Sequence, residues 1–393
     1  MTGHYEKQYD NVKRDLLDAM ENQVILEDPE VLKALDRILL DKTYRNMLIS
    51  EKEKIRRDIF YAVRKMDILQ ELLDDPDITE IMVNGPNQIF YEKEGHIYPW
   101  EKRFSSEEKL MDVILQIVGK CNRVVNESMP IVDARLSNGD RVNVVIAPAA
   151  LNGPILTIRR FPKKPIDMAQ LIQRETIPIE AAEYLNMLVK ERCTMVIGGG
   201  TSTGKTTFLN ALSAYISPEE RIITIEETAE LQLQNVSNLV RMESKQANME
   251  GSAKITIQDL IRSALRMRPD RIIVGEIRGV EAVEMLFSAV NTGHKGSLCT
   301  AHANSCYDMI SRLETMVLMG MEIPLTAIDR QIASGIDILV HLSRMSSGER
   351  KVTEITEITG YEKGQVQLTP LFLWQESKLV QVKEWKGQKR HEN

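Results

Sequence analysis

No stretch of this 393-residue sequence is apolar for the ~20 consecutive residues that a membrane-spanning helix needs. Residues 1–10 are polar and hold no apolar h-region, so no secretory leader is expected. The chain is therefore expected in the cytoplasm, with any membrane association peripheral. Cysteine is scarce too. Cys121, Cys193, Cys299 and Cys306 are scattered without a CxxC pair, which argues against a disulfide framework or a four-cysteine zinc site. They read as small buried hydrophobes in a reducing compartment. A basic excess is also missing: 57 acidic against 50 basic residues give a net charge of −7. That balance argues against nucleic acid binding over the whole surface. A local patch remains open, and Arg262, Arg266, Arg268 and Arg271 form one in sequence. Subunit contacts or anion pairing are its more ordinary reading.

What is present is ordinary globular composition, 43% hydrophobic and 27% charged, in a chain long enough for two or three domains. Residues 1–66 read as a charged helical extension. Asp28-Pro29-Glu30 supplies a capping acid and a first-turn proline, followed by Val31, Leu32, Leu35, Ile38 and Leu39 on one face. A second helical run carries Ile49, Ile55, Ile59 and Val63. Packing and partner docking both fit this extension.

Residues 67–160 change to an α+β pattern. A strand over 78–83 ends in the turn Asn84-Gly85-Pro86, and its partner covers 88–92. Ser105 with Glu108 reads as a capping box before the amphipathic run 110–118. Residues 131–136 and 141–146 read as a hairpin about Ser137-Asn138-Gly139-Asp140, and 155–158 as a further strand. Residues 161–166 contain Phe161-Pro162-Lys163-Lys164-Pro165, which suits neither sheet nor helix interior and reads as a hinge. Residues 167–375 alternate β and α, which predicts a mostly parallel sheet covered on both faces. After Ser347 short strands are expected at 352–359 and 366–368, and 376–393 reads as a loose polar tail. No internal repeat is evident.

The strongest chemical signal is GxxxxGKT over Gly199-Gly200-Thr201-Ser202-Thr203-Gly204-Lys205-Thr206, followed by Thr207. An apolar strand precedes it and a helix pattern follows, which is the context the motif needs. The glycines let backbone N–H groups turn inward onto phosphate oxygens, and the helix N-terminus adds positive potential. Lys205 is expected to reach the β- and γ-phosphates of ATP, and the Thr206 hydroxyl to hold Mg²⁺.

The apolar strand 271–275 ends in Glu276, an acid placed to serve the metal; a solvent-exposed strand-end acid is the alternative. Residues 222–225 end in Glu226-Glu227. Taking the three strands as neighbours puts the loop and both acidic clusters at one sheet edge. Glu226 is then a candidate to orient or deprotonate the attacking water, against simple surface acidity. His294 and His302 flank a short strand. No further ligand supports a metal pair. His294 fits a structural hydrogen-bonding role or a place in the nucleotide site, and His302, beside Asn304 and Ser305, suits a γ-phosphate sensor.

In this order the four elements resemble Walker A, the Asp box, Walker B and the His box of the secretion ATPases of type II and type IV systems. The likeness is greatest to the CpaF-like ATPases of tight-adherence (Flp) pilus assembly. It extends to Leu73–Gly85, Pro130–Asn143, Gly153–Phe161, Leu265–Arg271 and Arg312–Val317, and covers about residues 68–375. The resemblance implies a RecA-like P-loop NTPase domain behind an α+β domain and a helical extension. It also implies a hexameric ring, a membrane-bound platform protein as partner, and no stable nucleic acid binding. In such families arginines of the N-terminal domain close over the γ-phosphate; the matching segments hold Arg135, Arg141 and Arg159, which read equally as surface ion-pair residues. Three departures stand out. Ser202 replaces a common glycine, Glu227 replaces the usual aspartate, and the four-cysteine element of extension-type members is missing. The signature of retraction ATPases is not evident after Pro324. A conjugation-type DNA motor and a nucleotide-switched scaffold with little turnover are the rival functions.

Overall fold

A computed structural model describes residues 2–20, 27–136, 138–161, 165–245, 254–291, 293–385 and 387. The chain divides into two compact units, 1–162 and 163–393. Residues 162–164, at the heart of the expected hinge, lie outside the described residues.

The first unit opens with three helices, α1 (Thr2–Met20), α2 (Asp28–Leu40) and α3 (Ile49–Arg64). Their facing stripes bury Val12, Leu16, Val31, Leu35, Leu39, Ile55 and Ile59 in a core of their own. The cap of α2 is Glu27 rather than Asp28: the Glu27 amide donates to the Glu30 carboxylate at 2.9 Å. Asp28 instead accepts from Arg64 (2.9 Å) and Lys65 (2.6 Å), tying the start of α2 to the end of α3. Those two cations hold the Asp28 carboxyl below its ordinary range, Lys65 foremost.

After α4 (Leu69–Asp74) come β1 (Ile78–Asn84), β2 (Ile89–Lys93), β3 (His96–Trp100), α5 (Glu107–Lys120), β4 (Ile131–Arg135), β5 (Arg141–Val145) and β6 (Ile155–Arg159). The sheet is antiparallel in the order β3-β2-β1-β6-β5-β4. Ile81, Val83, Val142, Val144, Leu156 and Ile158 point into a core with Leu110, Ile114 and Ile117 of α5. Ser106, not Ser105, caps α5, accepting from the Lys109 amide at 3.2 Å. Strand β3 was not expected from sequence. It holds Pro99, which an edge strand tolerates because one row of its amides needs no partner. Ser137 of the expected hairpin turn lies outside the described residues.

The second unit runs α6 (Met168–Gln173), α7 (Ile179–Lys190), β7 (Met195–Gly199), α8 (Lys205–Ser213), β8 (Arg221–Glu226), β9 (Asn238–Glu243), α9 (Ile257–Ala264), β10 (Arg271–Ile277) and α10 (Glu281–Val283). It continues through β11 (Leu298–Ala301), α11 (Cys306–Leu318), α12 (Leu325–Gly335), β12 (Ile338–Arg344), β13 (Arg350–Glu362), β14 (Gln365–Gln375) and β15 (Lys378–Gln381). The sheet order is β15-β14-β13-β12-β7-β11-β10-β8-β9. From β12 to β9 every pairing is parallel, and β13, β14 and β15 extend that sheet antiparallel. Two hydrophobic cores cover its faces, one with α9, α11 and α12, the other with α7 and α8. The strands after Ser347 are therefore long, not short. The expected polar tail also contributes β15, whose Leu379 is buried in the second core.

Candidate functional site

Strand β7 is buried along its whole length, as a central parallel strand should be, and it ends in glycines for steric reasons. A Cβ on Gly198 would overlap the Met309 methyl of α11; one on Gly199 would meet the Leu342 carbonyl oxygen at 2.5 Å. The following turn is closed by Thr203 Oγ1 donating to the Gly200 carbonyl at 3.0 Å. Gly204 caps α8 at φ +90°, left-handed backbone that favours glycine. Ser202 takes φ +59° without being glycine, which explains why a glycine is common there and why the serine carries some strain. The first turn of α8 presents amides that have no intrahelical acceptor.

Lys205, the first residue of α8, folds back into this turn and is buried. Its Nζ donates to the carbonyls of Gly199 (3.1 Å) and Gly200 (3.0 Å). It also lies 3.4 Å from His302 Nδ1 and 3.8 Å from Glu276 Oε1. Burial pushes the Lys205 ammonium below its ordinary pKa; the Glu276 charge opposes this and Arg278 adds to it. An ammonium only donates, so His302 Nδ1 must accept, and the ring proton belongs on Nε2. There it donates to Glu276 Oε1 at 2.9 Å. The His302 pKa is correspondingly low, mainly from burial and next from the Lys205 charge. A neutral imidazole thus bridges lysine and carboxylate.

The other oxygen of Glu276 accepts from Arg278 Nε at 2.6 Å. Arg278 NH1 reaches Glu227 Oε2 at 2.7 Å, so one guanidinium joins the acids that end β8 and β10. The Arg278 amide and that of Gly279 are held in turn by Glu281 Oε1, at 2.6 and 3.0 Å. Arg278 was missed in sequence. The available signal was its position two residues after Glu276, which on a strand returns to the same face.

Three sequence expectations need correction. Strands β7, β8 and β10 are not mutual neighbours, because β11 lies between β7 and β10 and brings His302 to the centre of the site. Glu226 is 2% exposed, and its Oε1 accepts the amides of Glu230 (2.8 Å) and Leu231 (2.9 Å). Through that oxygen it anchors the loop after β8; burial raises its pKa and the two amides partly restore it. His294 lies where β7 and β11 begin: its carbonyl accepts from Ser297 Oγ, and the Gly296 amide next to it donates to Thr194 Oγ1. That is the opposite edge, about 13 Å away at the usual rise per residue, so this chain does not bring its own His294 to its phosphate turn.

A model of the type II/IV secretion system protein family matches residues 63–385. The chain belongs to that family. A putative conjugal transfer protein of Mycobacterium tuberculosis (strain CDC 1551 / Oshkosh) is 33% identical over 306 residues, 76% of this chain and 86% of its own. The type IV secretion system protein VirB11 of Brucella suis is 32% identical over 304 residues, 70% of this chain and 84% of its own. Among solved structures, the pilus retraction motor PilT with bound ADP has a TM-score of 0.53 at 19% identity, covering 73% of this chain and 81% of PilT. The ATPase DotB of Yersinia pseudotuberculosis has a TM-score of 0.55 at 19% identity, covering 74% and 78%. At that identity the structural likeness bears on the fold alone, which is the RecA-like fold of secretion ATPases.

The remaining candidates of this secretion-family chain lie in the first unit. Arg135 pairs across the ladder with Arg141, and Arg141 with Arg159. The row continues to Glu80 and Glu92 on β1 and β2. Residues directly opposite share a face, and this face is turned away from α5, since Val142 and Ile158 occupy the other. Arg135 Nε donates to the Gly139 carbonyl at 3.2 Å and its guanidinium lies over the Phe161 ring. Of the arginines read as a patch in residues 262–271, Arg262, Arg266 and Arg268 are exposed and Arg271 is not. Arg271 is 1% exposed and held bidentate by Glu220, and Arg262 pairs with Glu284.

Proposed function

We propose that the chain is a Mg²⁺-dependent ATPase, converting ATP and water to ADP and phosphate. It serves as the motor of a membrane-bound type II/IV secretion or pilus-assembly system of the tight-adherence kind. The observation that supports it most is the convergence of Lys205, His302, Glu276 and Arg278 at the end of a glycine-lined turn that opens a helix. A triphosphate laid on the amides of residues 200–207 would compete for Lys205 and Arg278, both now spent on carboxylates and carbonyls. Glu276 and Glu227 are then the acids left to orient water and metal-bound water. His302, already bridging Lys205 and Glu276, is placed to register loss of the γ-phosphate. Among the described residues no group of three or more His, Cys, Asp or Glu offers a ready metal cage. Mg²⁺ usually takes few protein ligands besides phosphate oxygens and water. Thr206, half-buried on the first turn of α8, is the hydroxyl to hold it.

Arg135, Arg141 and Arg159 support the same reading. The three lie in one row on one face of the sheet, and an arginine clamp on an anion offsets transition-state charge. We assign that anion to the γ-phosphate of a nucleotide bound in a homo-hexameric ring. The ring would work at the cytoplasmic face of the inner membrane, on a platform protein. No helix of the described residues is long and apolar enough to span a membrane.

Lys205→Ala tests the assignment. The substitution removes a buried cation from a site that also holds Arg278, so the fold should persist while turnover falls to background. Retained turnover, or a purified native chain that never binds labelled ATP, overturns it. A second reading, a conjugation-type motor assisting DNA transfer, is favoured by the conjugal transfer relative. Stimulation of turnover by DNA and not by a pilus platform protein would select it. A nucleotide-switched scaffold predicts binding with almost no hydrolysis.

A further inference from the structure

His341 lies outside every motif, yet it is buried beside the phosphate turn. It sits on β12, in parallel register with Gly198 of β7, while the next residue, Leu342, matches Gly199. Opposite it the β12–β13 ladder slips: His341 pairs with Glu354 and Leu342 with Val352, leaving Thr353 as an extra residue. Bulges of this kind re-aim side chains next to active sites. Here Thr353 Oγ1 lies 2.8 Å from His341 Nδ1 and 3.3 Å from the His341 carbonyl. The imidazole also meets the backbone carbonyl of Ala303, the residue after His302.

The rest of that loop is held from the same side. Glu354 Oε2 accepts the Cys306 amide at 3.3 Å while its Oε1 accepts from Thr356. Asp308 accepts the Asn304 amide at 3.0 Å, and Ser305 caps α11. The amides of Asn304 and Cys306 are thus tied to α11 and β13, and His341 of β12 meets the Ala303 carbonyl between them and His302.

We propose that His341 is a positioning residue: by engaging the Ala303 carbonyl from the β12–β13 bulge, it fixes the rotation of His302 between Lys205 and Glu276. The inference rests on the ATPase reading above. It makes the antiparallel extension of the sheet a determinant of turnover, although no side chain of that hairpin is needed to touch nucleotide.

The test uses the full chain with His341→Ala, His341→Gln, His302→Ala and the double variant His302→Ala/His341→Ala. Misplacing a reacting group by about 1 Å can cost up to ~100-fold. His341→Ala is expected to lower kcat about tenfold, with KM for ATP within about twofold. His341→Gln keeps an N–H for the Ala303 carbonyl and is expected to recover most of that loss. Against a His302→Ala background, His341→Ala should have little further effect. Without nucleotide, His341→Ala should speed modification of His302 by diethyl pyrocarbonate, read by peptide mass spectrometry. Unchanged kcat and unchanged His302 reactivity overturn the inference, as do losses that multiply in the double variant. If the native chain shows no turnover the parent reading fails instead, and the His302 modification rate still decides whether His341 positions it.

Discussion

Glu226 gives the sharpest separation between what its motif suggests and what its surroundings do with it. Substitution by glutamine leaves an oxygen for the amides of Glu230 and Leu231, now 2.8 and 2.9 Å from Oε1. It places an NH₂ where Oε2 has no partner among the described residues. One unpaired buried polar group replaces another, and a buried charge disappears. The net change in stability should stay within about 1 kcal/mol near neutral pH. Alanine instead strands one buried and one part-buried amide at about 1–3 kcal/mol each, partly offset by loss of the desolvated carboxylate, for a net cost of about 2–3 kcal/mol. In a unit of this size that is a fall in Tm of about 5–10 °C, against a change within about 3 °C for glutamine. If Glu226 only anchors the loop, Glu226→Gln keeps kcat within about threefold. A general base would lose about 100-fold or more. Steady-state ATPase assays and thermal melts on the same preparations check both arms. A hundredfold loss at unchanged Tm would refute the anchoring argument.

The pH dependence of the same variant adds a second arm. The folded pKa of Glu226 lies above its ordinary 4.5, so the native state binds more protons than the unfolded chain between those values. Its contribution is full below about 4.5 and is lost as pH rises through the folded pKa; the glutamine variant should lack that slope.

Further outcomes follow from other contacts. Glu314 of α11 has its pKa pushed up to about 7, first by burial and next by its hydrogen bond with Asp329 of α12. That contribution is present below about 4.5 and lost as pH rises through about 7. Because burial, the larger cause, remains, Asp329→Asn should lessen but not abolish the fall in Tm between pH 5 and 8, and an unchanged slope would refute it. Arg278→Gln should lower kcat about tenfold by freeing Glu276 and Glu227 from their common cation. Because Arg278 is 59% exposed, its pairs add little to stability and Tm should barely move. Ser202→Gly relieves a left-handed serine but adds unfolded-state entropy of similar size, about 0.5–1 kcal/mol; melts should show no more than a degree or two of change.

Much of the site was legible in the sequence because its parts are local. Gly199 to Thr207 carries its own turn chemistry, and an apolar strand before it fixes the context. What sequence order could not give was strand order. Nothing in residues 271–301 indicates that β11 inserts between β7 and β10, and that insertion makes His302, not Glu226, the neighbour of Lys205. Burial direction was equally hidden. Glu226 and Glu227 are adjacent acids at one strand end, and the pleat sends one inward to loop amides and the other to Arg278. His341 gave no motif at all, because its partners are a bulge and a backbone carbonyl from distant segments. The arginines of the first unit could be named but not related until register aligned positions 135, 141 and 159 in one row.

That strand order also bears on how a nucleotide could be felt beyond its own site. Strand β7 has parallel neighbours on both sides, β11 and β12, and each contributes a histidine at the level of the phosphate turn. One histidine bridges Lys205 and Glu276; the other braces the loop that carries the first. A shift of Lys205 toward phosphate must break its contacts with the Gly199 and Gly200 carbonyls and with His302 together, since one ammonium makes all three. Buried, close-packed sheets do not deform continuously, so such a change is passed to whichever neighbour has a second discrete arrangement. The loop 302–305 is the best placed to have one. It is held by side-chain and cap bonds, not by the ladder, and each bond leads to α11 or to the β12–β13 hairpin.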